Sequence, residues 1–244
     1  MLFGERDIAV ASDGPSLNAK VRSVQQFALF SDVSRVDCAA IISVGREMRL
    51  FRRQNLFVVG DPVERVLLVL SGSVKVTQTG VRGSEVMLRV CGVGDLVGTF
   101  GQGKHSSAAQ IAQAGTALIW DTVTFVKLLD VFPRLRNNTF RVVEQRLQEL
   151  EQRFRELSTD DVPSRLSSEL IRLSKRLASG AQNGEIHLSQ TDLAQLTGTT
   201  VSTVSRLLSR WEKLGIVTVR RAAVQVRDLA MLAQLSERDE DETG

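Results

Sequence analysis

Between Gly198 and Gly215 the chain reads GTTVSTVSRLLSRWEKLG, with hydroxyls and cations recurring on one side. Ser202, Thr203, Ser205, Arg206, Ser209, Arg210 and Lys213 hold that side, and Glu212 is the acid among them. Val201, Val204, Leu207, Leu208, Trp211 and Leu214 recur at helical spacing, which predicts a stripe turned toward a core. Short hydroxyls let a backbone come close to a partner. An arginine on the same face can offer two parallel donors to O6 and N7 of guanine, while flanking cations suit phosphates, which give register but no sequence information.

The elements around this stretch predict how it is held. Ser189 and Asp192 form a capping-box pattern for a helix through Leu196, Thr197-Gly198-Thr199 a turn, and Thr200 the cap of the next helix. Gly215 ends that helix, and IVTVRRAAVQVR reads as two short strands around Arg220-Arg221. Upstream, Asp160, Asp161 and Pro163 mark a break and a fresh helix to about Leu177, with Leu166, Leu170, Leu173 and Leu177 facing inward; SGAQNG reads as a loop. Two helices joined by a tight glycine turn and followed by a hairpin spell a winged helix-turn-helix. In that motif the second helix enters the major groove. Val201, Ser202, Ser205 and Arg206 are therefore expected at base edges, with Thr200, Arg210, Lys213, Arg220 and Arg221 on phosphates. Residues 162–236 carry ten Lys/Arg against five Asp/Glu, whereas 237–244 is an acidic tail. The competing use of the same motif is a protein-contact module, distinguished by weak salt dependence. A DNA reader loses affinity steeply as salt rises.

Phe140, Val143, Leu147, Leu150, Phe154 and Leu157 recur at alternating steps of three and four. This is the seam of a coiled coil about two and a half heptads long, and it predicts a parallel homodimer. From about 29 to 117, short apolar runs broken by glycine predict an antiparallel sandwich or barrel, with Val66–Leu70 and Val74–Thr77 as strands and Ser71-Gly72 as the hairpin turn between them. Residues 1–25 lack periodicity and read as a loosely attached extension. The expected domains are 1–25, the extension; 26–133, a β-roll; 134–158, the dimerisation helix; 159–236, the winged helix-turn-helix; and 237–244, the tail.

Across 244 residues the net charge is only +3, so a basic partner surface must be local. Cys38 and Cys91 make no disulfide framework and lack metal-type spacing, which fits a reducing cytoplasm. No apolar run approaches the roughly 20 residues that span a bilayer, so no membrane partner is expected. The chain has no phosphate loop, no G-x-S-x-G and no paired histidine-carboxylate motif, and it is read as a non-enzyme.

SQTDLAQLTGTTVSTVSRLLSRWEKLGIV resembles the DNA-binding segment of the CRP/FNR superfamily of transcription regulators, with TVSRLLSRWEKLGIV especially similar to its FNR-like branch. LFVVGDPVERVLLVLSGSVKV and GVGDLVG resemble the family's β-roll, so the likeness runs over about 28–236. It implies an α+β fold: a cyclic-nucleotide-binding-type β-roll (jelly-roll), a long dimerisation helix and a C-terminal winged helix-turn-helix. It also implies a homodimer reading a palindromic site on double-stranded DNA, RNA polymerase as a further partner, and an effector pocket around Gly98, Thr99, His105, Ser106 and Leu150. An effector there would alter packing between β-roll and seam helix and move the two recognition helices into or out of their ~34 Å half-site spacing.

The match has gaps. Thr99 stands where cyclic-AMP binders of the family place a glutamate, and His105, before Ser106, where they place the phosphate-gripping arginine. Leu150 and Glu151 replace the polar pair that reads adenine. Cyclic AMP is therefore not the expected effector. Two cysteines cannot supply the four thiolates of an iron–sulfur cluster. A haem reached by His105 stays an alternative, and the effector itself is left open. On the DNA face Ser202 replaces a glutamate of the FNR-like pattern, while Ser205 and Arg206 match it; the half-site should keep a guanine and change elsewhere.

Overall fold

The structure, a computed structural model, describes residues 17–80, 83–99, 103–177 and 185–237. The chain forms two compact units, one of Met1–Val74 with Cys91–Gln145, the other of Lys75–Val90 with Arg146–Gly244.

The first unit opens with helices α1 (Leu17–Val24) and α2 (Arg35–Ser43), separated by a 3₁₀ turn at Ala28–Phe30. Val21 and Val24 are buried with Leu29, Phe30, Ile41, Trp120 and Phe125 in one core. For residues 17–25 this corrects the reading of a loosely attached extension: two valines three residues apart suffice to seat a short helix, too few for a periodic signal. Residues 1–16 lie outside the described residues.

A six-stranded sheet follows, from β1 (Arg46–Leu50), β2 (Asn55–Phe57), β3 (Arg65–Thr79), β4 (Glu85–Cys91), β5 (Leu96–Val97) and β6 (Ala108–Asp121). Its order is β1-β6-β3-β4, with β2 added on β6 and β5 on β3. β1 lies antiparallel to β6, Arg46 opposite Ile119 and Leu50 opposite Gly115.

Ser71-Gly72 is not a hairpin turn; β3 continues through it. A Cβ on Gly72 would sit 2.5 Å from the Gln113 carbonyl oxygen, and one on Gly115 would be 2.0 Å from that of Ser71. The two glycines let strand backbones crowd together, which is the other meaning of glycine inside a strand. The chain reverses later, where the Gly80 N–H donates to the Ser84 carbonyl at 2.8 Å.

Asp121 caps α3 (Thr122–Val131) by accepting the Thr124 N–H at 2.8 Å. Phe132 is extended, as a residue before proline prefers, and Pro133 opens α4 (Pro133–Thr159). The Asn138 amide donates to the Leu29 and Ser31 carbonyls at 3.0 and 2.7 Å, anchoring the start of α4 to the core.

The second unit contains the remainder of α4, then α5 (Val162–Leu177), β7 (Glu185–Ile186), α6 (Gln190–Thr197), α7 (Val201–Lys213), β8 (Val217–Arg220), β9 (Ala223–Val226) and α8 (Leu229–Glu237). Leu166, Leu170, Leu173 and Leu177 are buried, as the spacing predicts. SGAQNG lies outside the described residues. The unit also includes 75–90, which the sequence reading assigned to the β-roll. α8 was not foreseen. It buries Leu232, accepts the Ser164 hydroxyl at the Leu235 carbonyl, and takes in Glu237, which the charge pattern had placed in the tail.

The rear face of α4 meets α5 through charges. Arg153 donates to Glu169 at 2.7 Å; Arg172 grips Glu156 with two bonds of 2.7 Å and also reaches Glu169. Burial lowers the Arg153 pKa against the pull of Glu169. Burial would also lower that of Arg172, but the bonds to Glu156 and Glu169 overcome it and hold the guanidinium above its ordinary value.

Candidate nucleic-acid interface

Local chemistry sets the two helices of the motif. Ser189 accepts the Asp192 N–H at 3.1 Å while Asp192 accepts the Ser189 N–H at 2.9 Å, completing the capping box. Burial pushes the Asp192 carboxyl up; hydrogen bonds from Ser189 and Lys75 overcome this and leave it below the ordinary aspartate value. Gly198 ends α6 in the left-handed conformation, φ +61° and ψ +41°, and a Cβ there would lie 2.8 Å from Leu157. Thr200 caps α7 by accepting the Thr203 N–H at 3.2 Å.

On α7 the inner stripe is narrower than its spacing suggested. Val204, Leu207, Leu208 and Trp211 are buried, but Val201 is 43% and Leu214 64% exposed, because each lies at an end of the helix beyond its packing partners. The opposite face is as expected. Thr200, Ser202, Arg206, Arg210 and Lys213 are exposed, and Ser205 is half-buried. Among the described residues Arg206, Arg210 and Lys213 form no ion pair. Glu212, the acid on this helix, turns away to accept the Val219 N–H at 2.8 Å and so ties the wing to the helix end.

The wing is the β8–β9 hairpin, with Arg220 opposite Ala223 and Arg221 exposed in its turn. Arg220 pairs with Glu185 at 2.7 Å yet keeps 62% of its side chain exposed, so its cation is shared between wing and solvent. Arg227, not singled out from the sequence, is also exposed and donates to Thr218 at 3.0 Å. Arg165 was missed too. It donates to the Thr197 carbonyl at 3.0 Å and the Asp160 carbonyl at 2.6 Å, bracing α5 against the turn before α7. Its place after a helix start offered no signal, since an arginine there reads as surface.

The seam residues form an exposed stripe along α4. Phe140 is 66% and Phe154 72% exposed, and Val143, Leu147, Leu150 and Leu157 are all exposed. Leu150, Phe154 and Leu157 also line a groove of about 420 Å³ with Val86, Leu88 and Val201.

The expected effector residues are placed as follows. Gly98 is half-buried with φ +105°, Thr99 and Ser106 are exposed, and His105 is buried. Residues 103–105 run beside 60–63, with the His105 N–H donating to the Asp61 carbonyl at 2.8 Å. The His105 ring stacks on Phe57, centroids 3.6 Å apart and nearly parallel. Burial lowers its pKa, against the opposing pull of Asp61, so the ring is held neutral. Leu150 belongs to the second unit, in the groove just described.

These residues do not fit a cyclic nucleotide held in the family's usual way. The position given to the arginine carries a neutral ring already engaged with Phe57, and Thr99 offers no carboxylate to a ribose. An iron–sulfur cluster does not fit either: both cysteines are buried, and burial, with Asp37, pushes the Cys38 thiol up to about 11. Among the described residues no helix is long and apolar enough to cross a membrane.

Comparison with known proteins agrees with this architecture. Residues 47–131 match the cyclic nucleotide-binding domain family and residues 164–235 the Crp-like helix-turn-helix domain family. The anaerobic regulatory protein of Haemophilus influenzae is 30% identical over 201 residues, covering 79% of this chain and 77% of its own. The CRP-like cAMP-activated global transcriptional regulator of Mycobacterium tuberculosis is 26% identical over 212 residues, 84% of this chain and 95% of its own. Among solved structures, FixK2 from Bradyrhizobium japonicum superposes with a TM-score of 0.70 at 21% identity, covering 79% of this chain and 97% of that one.

Proposed function

Because the chain belongs to the CRP/FNR family of transcription regulators, with a helix-turn-helix DNA-binding domain and relatives that are regulators rather than enzymes, we propose that it reads a palindromic site as a homodimer. One observation carries the reading: the exposed face of α7 holds hydroxyls and cations that form no ion pair among the described residues, while its acid, Glu212, is bound to the wing. Arg206 would take a guanine through two parallel donors, with Val201, Ser202 and Ser205 beside it at base edges. Thr200, Arg210, Lys213, Arg220 and Arg221 would hold phosphates.

The exposed seam supports pairing of two copies through α4, since six large apolar side chains along one face are costly to leave in water. Contact with RNA polymerase is carried over from the family. The two buried, unbridged cysteines support a cytoplasmic location. Any effector in the β-roll differs from cyclic AMP, because His105 and Thr99 lack the charges that would hold it.

Selection of binding sites from random duplexes tests the reading. The native chain should return a twofold-symmetric consensus with one guanine per half-site that Arg206→Ala no longer selects, at a cost of about 1–3 kcal/mol per bidentate pair. A consensus unchanged in Arg206→Ala would refute the assignment.

A further inference from the structure

The hairpin made by the end of β3 and by β4 belongs to the second unit, although both strands are members of the six-stranded sheet. It is fastened there at both ends. Lys75 Nζ donates to Asp192 Oδ1 at 3.0 Å, with only 22% and 14% of the two side chains exposed. Asp192 is the carboxylate that closes the capping box of α6. One turn along α6, Gln195 donates to Glu85 at 3.0 Å. Further along β4, Arg153 donates to the Leu88 carbonyl as well as to Glu169, and Arg176 donates to the Val90 carbonyl at 3.3 Å. The hairpin thus grips the first helix of the helix-turn-helix and, through α4 and α5, the floor on which α6 rests.

We propose that this hairpin is a splint for DNA reading, in which Lys75 and Arg153 are positioning residues that set α6 and, through the Gly198 turn, α7. The inference rests on the DNA-reading role proposed above. Lys75 is the place to cut the link. Without it Asp192 still accepts the Ser189 N–H and hydroxyl, at 2.9 and 2.7 Å, so the cap and the helix survive while the tether to the hairpin is lost.

The test uses the full-length chain with Lys75→Met and Lys75→Arg, read by affinity for the selected duplex, thermal unfolding, and the distance between spin labels at Gln234→Cys in two protomers. Gln234 is exposed, and the native cysteines are buried. Lys75→Met should weaken DNA binding about fivefold or more, the lower end of coupling between sites, and broaden the label distances. Its unfolding temperature should fall only slightly, because Asp192 keeps both bonds to Ser189, and Lys75→Arg should restore affinity and distances together. Native affinity and distances in Lys75→Met would overturn the splint, as would a loss that tracks unfolding or that arginine does not rescue. A native chain that binds no duplex would overturn the functional reading itself.

Discussion

Gly198 offers the sharpest test of how the recognition helix is held. Its backbone sits at φ +61°, where a side chain costs about 1–2 kcal/mol through the clash of Cβ with the following carbonyl. Alanine also narrows the unfolded ensemble, which returns about 0.4–1 kcal/mol. The new Cβ would lie 2.8 Å from Leu157 Cδ2, the free end of a half-exposed side chain that can rotate away at about 0.5–1.5 kcal/mol. Gly198→Ala should therefore lower the stability of α6 and α7 by about 1–2 kcal/mol. Asparagine tolerates the left-handed region, so Gly198→Asn should keep the contact cost and lose most of the backbone cost, for about half the effect. Leu157→Ala should in turn relieve the contact part in the double variant with Gly198→Ala. Native-state hydrogen exchange at the α6 and α7 amides measures each quantity where it arises. If Gly198→Ala exchanged at native rates, or if asparagine proved worse than alanine, the account of the turn would be wrong.

Two further outcomes follow from the same geometry. Leu147→Glu places a charge in the middle of a stripe already exposed in the single chain, so folding should be unaffected while sedimentation shifts to monomer. DNA affinity should then fall about a hundredfold as the two half-sites lose their linkage; an intact dimer would refute the seam. His105 is buried neutral with its pKa lowered by burial. Below about pH 6.5 the unfolded chain takes up a proton that the folded chain refuses, so the stability this residue contributes is full above that value and declines as pH falls toward the folded pKa, at no more than about 1.4 kcal/mol per pH unit. Urea midpoints between pH 7.5 and 5.5 should show the decline, and His105→Gln should flatten it. An equal slope in both proteins would assign it to another group.

Local chemistry was written plainly in the chain. The capping box at Ser189, the Thr200 cap, the Gly198 turn, the buried leucines of α5 and the seam of α4 all depend on neighbours within one or two turns, and their spacing survives in one dimension. The cation-rich face of α7 was legible for the same reason. Features made by distant segments were not. Ser71-Gly72 has the composition of a turn, and only the crowding of β3 against Gly115 shows that glycine serves close approach there. Val21 and Val24 look unremarkable until a core exists to receive them. Nothing adjacent in the chain marks Arg165, Arg153 and Lys75 as bracing residues, because they reach Thr197, Glu169 and Asp192, each 16 or more residues away. Periodicity reveals which face of an element turns inward; what that face meets depends on chain reversals that bring remote carboxylates and carbonyls within 3 Å, and only the tertiary structure decides those.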